Sequence, residues 1–502
     1  KSTVTAGNLT IYSGTASNKI LANGTQTIDF NISGNWTNSD TFTAGTASTV
    51  TFNGTASQQI ITSTSTVNNT FYKLTLNNGT NTNTLTLNPT TGTPTLDVNG
   101  LLTITKGTLS PGAYNTTIAV GLTFSDTTNG IFTRGAGTLT FDDTGTWTDN
   151  RTTKADLGTI TIDGPMPTTL TLGSSVLVTN ITIISTNNTL NLGAGSYTLT
   201  LSGTGTPLTA TGTFNKGTGS TVTYTGTTTA TTIAAVQYNN LTLTPTLATT
   251  YSLAAALDTL NSRNLTGNLT INNLATLTTT VSNYNLDCVD LTIASGGILT
   301  ANASTITISG NWDKAATGTF NYNTSKVIFN GTGTIQNLTL NNPCSFYDLE
   351  AAAATKTTSL HAYIFVMHVL TLNTGTINSI DAGTAWQFYL YPTPTLTTFV
   401  NNGVTYSQSP DRITIIYRTS SASSVSRDII PGGNYPDIQI YSNAASTTSY
   451  AKMAGAITCI SMRVIAGHAG SIVDLTTENY AITTSRTGLY SFIVGVEYSL
   501  VD

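Results

Sequence analysis

The sequence predicts an all-β protein built as a parallel β-solenoid, in which short strands wind into coils that stack on one another. Two observations predict this class: a strand-rich text that recurs along the chain, and a regular alternation of apolar residues with threonine. Composition agrees, because uncharged β-branched residues favour strands, whereas Asn and Gly favour the corners between them. Only 8% of the 502 residues are charged.

The recurring text is clearest in residues 34–77. It reads Gly-Asn-Trp, continues through Thr-Val-Thr-Phe-Asn-Gly-Thr and closes on Leu-Thr-Leu-Asn. Copies lie near Phe214 and at residues 310–341, and a weaker copy lies near Phe132. Such large repeats, spaced by about 80 to 110 residues, are interpreted as groups of several coils, because each repeat must bury its apolar face against the next.

Alternation is the evidence for strands. In Leu74-Thr75-Leu76 and Ile160-Thr161-Ile162 every second residue is apolar, which places one face in a core and the other in water. A second phrase, in which a Gly corner joins two short strands, starts at Leu101, Leu291 and Leu370. Tight Asn-Gly hairpins are few, so the solenoid is favoured over the alternative, a string of tandem β-sandwich domains.

Two sets of aromatic residues recur within the repeats. We assign Trp36, Trp147 and Trp312 to one repeat position. The second position is held by phenylalanines: Phe42, Phe132, Phe214 and Phe320. Stacking inside the coils is favoured over a carbohydrate platform, because the interiors of repeat arrays stack identical residues.

The amino-acid composition of the sequence changes toward its C-terminal part. Residues 1–380 form a Thr/Asn-rich β-repeat array. Residues 381–502 contain more Tyr, Ile, Arg and Asp, and the loop at residues 430–436 is a strong break. We therefore place a divergent β domain, a possible assembly region, at residues 381–502.

Charge and hydropathy exclude some partners. The net charge is -5, the pI is near 5.1, and Lys and Arg are scattered, so nucleic acid is not an expected partner. The most apolar run, residues 363–370, is too short to cross a bilayer, and no membrane span is predicted. The first residue is Lys and no apolar segment follows it, so any signal peptide of a precursor is expected either to have been removed or to lie outside the printed sequence.

Residues that could carry catalysis are sparse. Cys288, Cys344 and Cys459 lack metal-ligand spacing and allow either three buried thiols or one disulfide. The three histidines show no zinc-binding spacing; they are His361, His368 and His468. The pair Asp142-Asp143 lies in an expected turn, where Asp is common. We predict that the chain is not an enzyme and has no cofactor or metal site.

Asn-x-Ser/Thr sequons are the one motif present in quantity, and each is a candidate N-glycosylation site. They occur at Asn8, Asn23, Asn31, Asn35, Asn53, Asn68, Asn78, Asn115, Asn150, Asn180, Asn187, Asn240, Asn264, Asn268, Asn302, Asn323, Asn330 and Asn337. None follows Asn337, which fits either a change in composition or selection for glycans on the first two-thirds of the chain. Covalent glycans are therefore a possible partner.

The repeat text resembles the Thr/Asn-rich modular repeats of archaeal and bacterial surface proteins. The resemblance rests on Gly-Asn-Trp-Thr, Thr-Val-Thr-Phe-Asn-Gly-Thr and Leu-Thr-Leu-Asn-Asn, and it covers most of residues 1–380. Members of this loose group are adhesin-like proteins, surface-layer components or subunits of extracellular fibres and sheaths. The resemblance implies secretion to the cell surface, self-assembly and glycosylation, and it implies no catalytic residue.

The function expected from these observations is a structural subunit that polymerises with itself into an extracellular filament, sheath or surface layer. The alternative is an adhesin that binds carbohydrate or another cell through an aromatic site outside the repeats. Its candidate residues are Trp386, Phe388, Tyr389 and Tyr391. A β-helix polysaccharide lyase or hydrolase is the third class, and it would need converging carboxylates.

The last strand, at residues 489–501, is the most β-prone segment of the chain. Alternation gives it one continuous apolar face, formed by Tyr490, Phe492, Val494, Val496, Tyr498 and Leu500. An exposed strand of this kind would promote aggregation, so it must be covered. We predict that it lies at or beside a subunit contact; closing its own domain is the other option.

Overall fold

The structure is a computed structural model. It describes residues 2–12, 20–21, 27–40, 42–62, 69–227, 230–331, 335–340, 343–351, 357–360, 363–379, 386–392, 398–407, 413–419, 428–442, 450–466, 472–474, 482–484 and 492–496. The secondary structure of these residues is β-strand without helix, and each described strand pairing is parallel. Parallel pairing of successive coils confirms the β-solenoid and excludes the β-sandwich alternative, whose sheets are antiparallel.

The chain forms two compact units, Lys1–Thr249 and Thr250–Asp502. In the first unit three sheets carry most strands. Face A consists of Ser2–Ala6, Ile28–Ile32, Thr49–Phe52, Lys73–Asn77, Leu101–Lys106, Gly121–Phe124, Gly145–Asp149, Thr168–Leu172, Asn188–Asn191 and Thr213–Asn215. Face B consists of Leu9–Ile11, Trp36–Asn38, Gln58–Thr62, Thr84–Pro89, Thr108–Gly112 and Ile131–Arg134. Face C consists of Asn69–Phe71, Leu96–Val98, Thr116–Ile118, Leu139–Phe141, Thr159–Ile162, Asn180–Ile183 and Leu208–Ala210.

The first unit contains further described strands that do not belong to faces A, B or C. They are Ile20–Leu21, Phe42–Thr43, Val176–Val178, Thr198–Leu201, Thr221–Tyr224, Thr231–Ile233 and Asn240–Leu243.

The second unit repeats the plan with two long sheets. Face D consists of Leu286–Cys288, Thr305–Ile308, Lys326–Phe329, Cys344–Ala351, Ile364–Leu372, Trp386–Leu390, Phe399–Asn401, Ile413–Thr419, Asp437–Ser442, Ser461–Ala466 and Phe492–Val496. The strands of face E in this unit are Leu269–Ile271, Leu291–Ile293, Trp312–Lys314, Ile335–Leu340, Thr357–Leu360, Gly375–Ser379 and Val404–Ser407. Shorter strands are Thr249–Leu253, Ala275–Thr278, Ile298–Thr300, Thr319–Asn321, Asp428–Ile430, Gly433–Asn434, Tyr450–Met453, Ile457–Cys459, Ile472–Asp474 and Ile482–Thr484.

The core consists of rows of apolar side chains that stack in register from coil to coil. On face A, Leu74 pairs with Val50 on one side and Leu102 on the other, and all three are buried. Each fully buried aliphatic side chain contributes about 1.5–3 kcal/mol to folding, so a row of them stabilises the stack. The intervening residues, such as Thr75 beside Thr51, form neutral threonine rows on the outer face.

Short polar side chains at the corners complete the hydrogen bonding between coils. Asn8 Oδ1 accepts the backbone N–H of Asn35, 27 residues later, at 2.7 Å. Asn285 Oδ1 accepts the N–H of Thr305, 20 residues later, at 3.0 Å. These offsets give the length of one coil. They also explain why a chain with so many corners is rich in Asn, Ser and Thr, since these side chains bond readily to nearby backbone groups.

The strand positions revise one sequence expectation and leave a second one untested. Trp147 lies on face A, whereas Trp36 lies on face B, so the assignment of both to one repeat position is wrong. The division expected near residue 380 does not coincide with the boundary at Thr249. On face D, Ile364–Leu372 pairs in register with Trp386–Leu390 across it, and a functional division at 380 stays a prediction.

Candidate functional site

The recurring tryptophans are core residues. Trp36, Trp147 and Trp312 are each 0% exposed, which excludes them as a carbohydrate platform in the folded chain. Phe42 and Phe132 are buried as well, and Phe214 and Phe320 are partly buried. The interpretation of these rings as interior stacking is therefore confirmed.

The three cysteines are buried thiols without a disulfide. Burial raises the pKa of Cys344 to about 12 and that of Cys459 to about 11, and it also raises the pKa of Cys288. Neutral thiols are poor nucleophiles at physiological pH. Cys288 and Cys344 belong to face D strands three positions apart, which at about 4.8 Å per strand exceeds the reach of a disulfide.

One histidine can be placed. His368 Nδ1 lies 2.6 Å from Asp348 Oδ1, and its ring stacks on Tyr347 with centroids 4.5 Å apart. The same carboxylate oxygen accepts the backbone N–H of Val369 at 3.0 Å. His361 and His468 lie outside the described residues. The arrangement holds the imidazole rigidly at a bulge of face D, where the register shifts between Phe346 and Asp348.

The adjacent carboxylates Asp142 and Asp143 lie at a surface groove of about 250 Å³ that also contains Met166. Burial raises the pKa of Asp142, and the negative charge of Asp97 raises it further. Burial likewise raises the pKa of Asp97, although the Thr70 hydroxyl donates a hydrogen bond to it at 3.0 Å and opposes the shift. Among the described residues, no group of three or more His, Cys, Asp or Glu side chains could hold a metal ion.

The aromatic residues expected for an adhesin separate by strand alternation. Phe388 is 1% exposed and faces the core, whereas Tyr389 and Tyr391 are partly exposed. Trp386 belongs to the same face D strand, and its side chain lies outside the description. Of the three side chains that are described, only those of Tyr389 and Tyr391 therefore reach the outer surface.

Tyr389 belongs to an outer ladder that the sequence analysis missed. Its ring stacks on Phe365 at 4.8 Å, with planes 22° apart. The guanidinium carbon of Arg418 lies 4.9 Å from the centre of the Tyr389 ring and 5.3 Å from that of Tyr441. Stacking and cation–π contacts thus use the ring faces that a sugar would need. The signal was present as aromatic and Arg residues at alternate, outward positions.

A polar groove lies beside this ladder. It has a volume of about 180 Å³ and is lined by Gln387, Thr414, Asp437, Ile438, Gln439, Ser461 and Arg463. The Ser461 hydroxyl donates a hydrogen bond to Asp437 Oδ1, so these two residues of the groove lining are bonded to each other.

The sequons differ in their access to solvent. The exposed asparagines are Asn8, Asn53, Asn115, Asn150, Asn187, Asn268, Asn323 and Asn330. The partly buried ones are Asn31, Asn35, Asn180, Asn240, Asn264 and Asn302. Asn78 is 0% exposed. Asn23 and Asn68 lie outside the described residues, as does the side chain of Asn337.

The C-terminal strand is described at Phe492–Val496, where it pairs in register with Ser461–Ala466. It contains Phe492, Val494 and Val496 of the expected apolar face, whose side chains are not described. Tyr490, Tyr498 and Leu500 lie outside the described residues. Its predicted place at a subunit contact stays a prediction.

Fold and surfaces together define the class of this protein as a parallel β-solenoid with a neutral, threonine-rich exterior. Comparison with protein-family models, with curated proteins and with solved structures gave no match for the chain. No helix in the described residues is long and apolar enough to cross a bilayer.

Proposed function

We propose that this protein is a structural subunit that assembles with copies of itself into an extracellular filament, sheath or surface layer. The observation that carries the proposal is the parallel solenoid itself, whose end coils expose a sheet edge unless another segment or another subunit covers it. Within the described residues, Ser2–Ala6 and Phe492–Val496 are each paired on one side only. Neither strand contains a charge or a proline, the two devices that usually block a sheet edge.

The geometry of Ser2–Ala6 indicates which backbone groups are available for a partner. Ser2 donates its N–H to Thr27 O at 3.2 Å, and Ala6 O accepts the N–H of Ser33 at 3.0 Å. In a parallel ladder the N–H and C=O groups of alternate residues point to the same side. Those of Thr3 and Thr5 therefore point away from the paired neighbour, Ile28–Ile32, toward the outer edge.

The outer surface supports close packing between subunits. On face C the outward row runs in register through neutral residues, apart from one carboxylate: Thr70, Asp97, Thr117, Thr140, Thr161, Thr182 and Thr209. Neutral rows cause little charge repulsion between copies, and hydroxyl groups can pair across an interface.

The adhesin remains the second candidate, favoured by one observation, the polar groove beside Tyr389. A neutral saccharide fits its mixture of donors and acceptors, since amide, hydroxyl, carboxylate and guanidinium groups line it together. The ring faces of the neighbouring ladder are occupied by other side chains, so we rank this function below the structural one.

The test compares edge variants of the full chain. Thr3→Pro and Thr5→Pro remove N–H groups that point outward and leave the internal hydrogen bonds of Ser2 and Ala6 intact. Thr3→Val and Thr5→Val are the matched controls, because they keep the N–H. We expect ordered assemblies of the unmodified chain and the valine variants by electron microscopy, and smaller species of the proline variants by light scattering. A chain that stays monomeric at high concentration would contradict the proposal.

A further inference from the structure

Several sequons lie along one line of the first unit. They occupy the carboxyl edge of face A, which we define as the segments that leave its strands: residues 7–8, 33–35, 53–57, 78–83 and 150. The first three segments belong to successive coils, since Gly34 N–H donates to Gly7 O at 2.6 Å and Asn53 N–H donates to Ile32 O at 3.0 Å. Residues 78–83 follow the next strand of face A, and Asn150 follows a strand three places further along. The sequons of this edge are Asn8, Asn35, Asn53, Asn78 and Asn150.

Four of these five asparagines reach solvent. Asn8, Asn53 and Asn150 are exposed and Asn35 is partly exposed. The amide of Asn8 is anchored through Oδ1, which accepts the N–H of Asn35 at 2.7 Å, and Asn35 Oδ1 accepts the N–H of Gln59 at 2.9 Å. Anchoring the oxygen fixes the amide plane, and the nitrogen, on the other branch of the amide, is directed elsewhere.

We propose that the carboxyl edge of face A is a glycan-bearing ridge, in which Asn8, Asn35, Asn53 and Asn150 carry N-linked saccharides. The inference rests on the proposed extracellular function. The co-reactant is an oligosaccharide activated on a lipid diphosphate. The Asn Nδ2–C1 bond forms, the C1–O bond to the diphosphate breaks, the amide loses one proton and the lipid diphosphate leaves.

The same edge contains its own negative control. Asn78 also has the sequon pattern, yet it is 0% exposed, so a saccharide on its nitrogen has no space in the folded coil. A second control comes from the other unit, where Asn302 Nδ2 lies within 3.2 Å of the Thr278 hydroxyl and within 3.1 Å of Thr280 O. A sugar on Asn302 would remove these contacts.

The ridge has a consequence for assembly. Bulky, hydrated saccharides keep the edge that carries them in water. Contacts between subunits must then use the other corners and the outermost strands, such as Ser2–Ala6. The glycans add solubility that charge does not supply, since only 8% of the residues are charged.

The experiment starts with the unglycosylated full chain, folded, and a denatured sample of the same preparation. Each is incubated with a soluble oligosaccharyltransferase and a synthetic lipid-linked oligosaccharide, and site occupancy is measured by glycopeptide mass spectrometry. In the folded chain we expect Asn53 and Asn150 to be modified at least about tenfold more than Asn78, which must first open locally. In the denatured chain this preference should disappear. Variants Asn53→Gln and Asn150→Gln should lose the corresponding glycopeptides.

Equal modification of Asn78 and Asn53 in the folded chain would overturn the ridge. So would the absence of modification at Asn8, Asn53 and Asn150 in the folded chain when the denatured chain is modified there. Electron microscopy of the modified sample separates the two proposals. Occupied ridge sites without ordered assemblies would contradict the structural function alone, and assemblies that form only without the glycans would contradict the placement of the ridge outside the contacts.

Discussion

Trp36 and Phe42 pack edge to face in the first unit, with ring centroids 4.8 Å apart and planes at 82°. Phe71 of a neighbouring coil completes the group, 5.4 Å from Trp36. This arrangement matches the preference of aromatic rings for perpendicular contact, in which the positive edge of one ring meets the negative face of another. The trio therefore ties neighbouring coils together inside the solenoid.

The second unit contains the same trio built from the matching text. Trp312 and Phe320 lie 4.9 Å apart at 80°, and Phe346 lies 5.5 Å from Trp312. The ring-centroid distances and interplanar angles are similar in both copies, which indicates that the tryptophan of each Gly-Asn-Trp motif packs in the same way. Phe42 follows Trp36 by six residues and Phe320 follows Trp312 by eight, so the contact is kept although the spacing in the sequence differs.

The first prediction concerns the Trp36–Phe42 contact. Trp36→Ala should lower the free energy of unfolding by about 3–5 kcal/mol, because it leaves a large cavity in the core. A double-mutant cycle with Phe42→Leu should give a coupling of about 0.5–1.5 kcal/mol beyond burial. Denaturant unfolding measures both. Tyr12→Ala is the control, since Tyr12 is 68% exposed and its loss should change little. A loss for Trp36→Ala no larger than for the control would refute the assignment.

A buried ion pair interrupts an apolar row of face A. Asp149 pairs in register with Phe124, and it is 1% exposed. Arg151 forms two contacts to its carboxylate, at 2.9 Å and 2.6 Å, and donates to Gly130 O at 2.8 Å. The Arg151 guanidinium carbon lies 3.7 Å from the centre of the Phe124 ring. The charge is thus paired and covered at a row position that the two preceding coils fill with Phe124 and Ile104.

The second prediction follows from that pairing. Arg151→Met should destabilise the chain by about 3–5 kcal/mol, because it leaves the Asp149 carboxylate buried without its partner. The double variant Asp149→Leu with Arg151→Met should recover most of the loss, since it removes both charges. Thermal unfolding of the three proteins checks this. If the double variant is less stable than Arg151→Met alone, the pair has a role other than mutual compensation.

The third prediction concerns alkaline pH. Tyr224 and Tyr238 are buried, their hydroxyl oxygens lie 3.0 Å apart, and Tyr238 donates to Ala234 O at 2.9 Å. Burial raises the pKa of Tyr224 from 10.0 to about 12. A buried acid whose pKa rises on folding is protonated in both states below the unfolded pKa, so its stabilisation is complete there. Stability should fall as pH rises from about 10 toward 12, because only the unfolded chain ionises.

Tyr224→Phe provides the matched test of that titration. It should cost about 1 kcal/mol near neutral pH, through the lost hydrogen bonds. The difference between the variant and the parent should shrink above pH 10, where the phenolic group begins to destabilise the parent. Unfolding free energies measured across this range would show it. A constant difference at every pH would mean that Tyr224 titrates as an exposed tyrosine.

Much of the fold could be predicted from the sequence because the alternation of apolar residues with threonine is local. Leu74-Thr75-Leu76 specifies one buried and one outward side without any knowledge of the partner strand. Parallel stacking was also predictable, since few hairpin turns connect the strands. The coil length could not be predicted in the same way, because coils of different length, 27 residues at Asn8 and 20 residues at Asn285, use the same short polar residues at their corners.

The candidate surfaces were predicted less well. The position of Trp147 on face A depends on the register between coils, and the five-residue strand Gly145–Asp149 gives no local signal of its face. The burial of Asn78 has the same origin: its sequon is identical in type to that of Asn53, and only the neighbouring coil decides which one reaches solvent. The Phe365–Tyr389 stack pairs residues 24 positions apart, beyond any local pattern.

The final prediction concerns the C-terminal strand, Phe492–Val496. Its partner is Ser461–Ala466, with register from Met462 and Phe492 to Ala466 and Val496. Within the described residues it is the outermost strand of face D, so one row of its backbone hydrogen-bonding groups is directed away from the sheet. An apolar, uncharged strand with such an edge is suited to pairing with an edge strand of another copy, where backbone bonds give affinity and alternate side chains give register.

Deleting residues 489–502 should therefore abolish ordered assembly while the repeat array stays folded. Deleting only residues 497–502 is the matched control, because it keeps Phe492–Val496, and it should assemble as the parent does. Electron microscopy measures assembly, and circular dichroism with thermal unfolding measures the fold. Loss of folding in the longer deletion would show that the strand closes its own core, as an internal strand does. Unchanged assembly of the longer deletion would remove this strand from the subunit contact, and the edge at Ser2–Ala6 would then be the contact to examine.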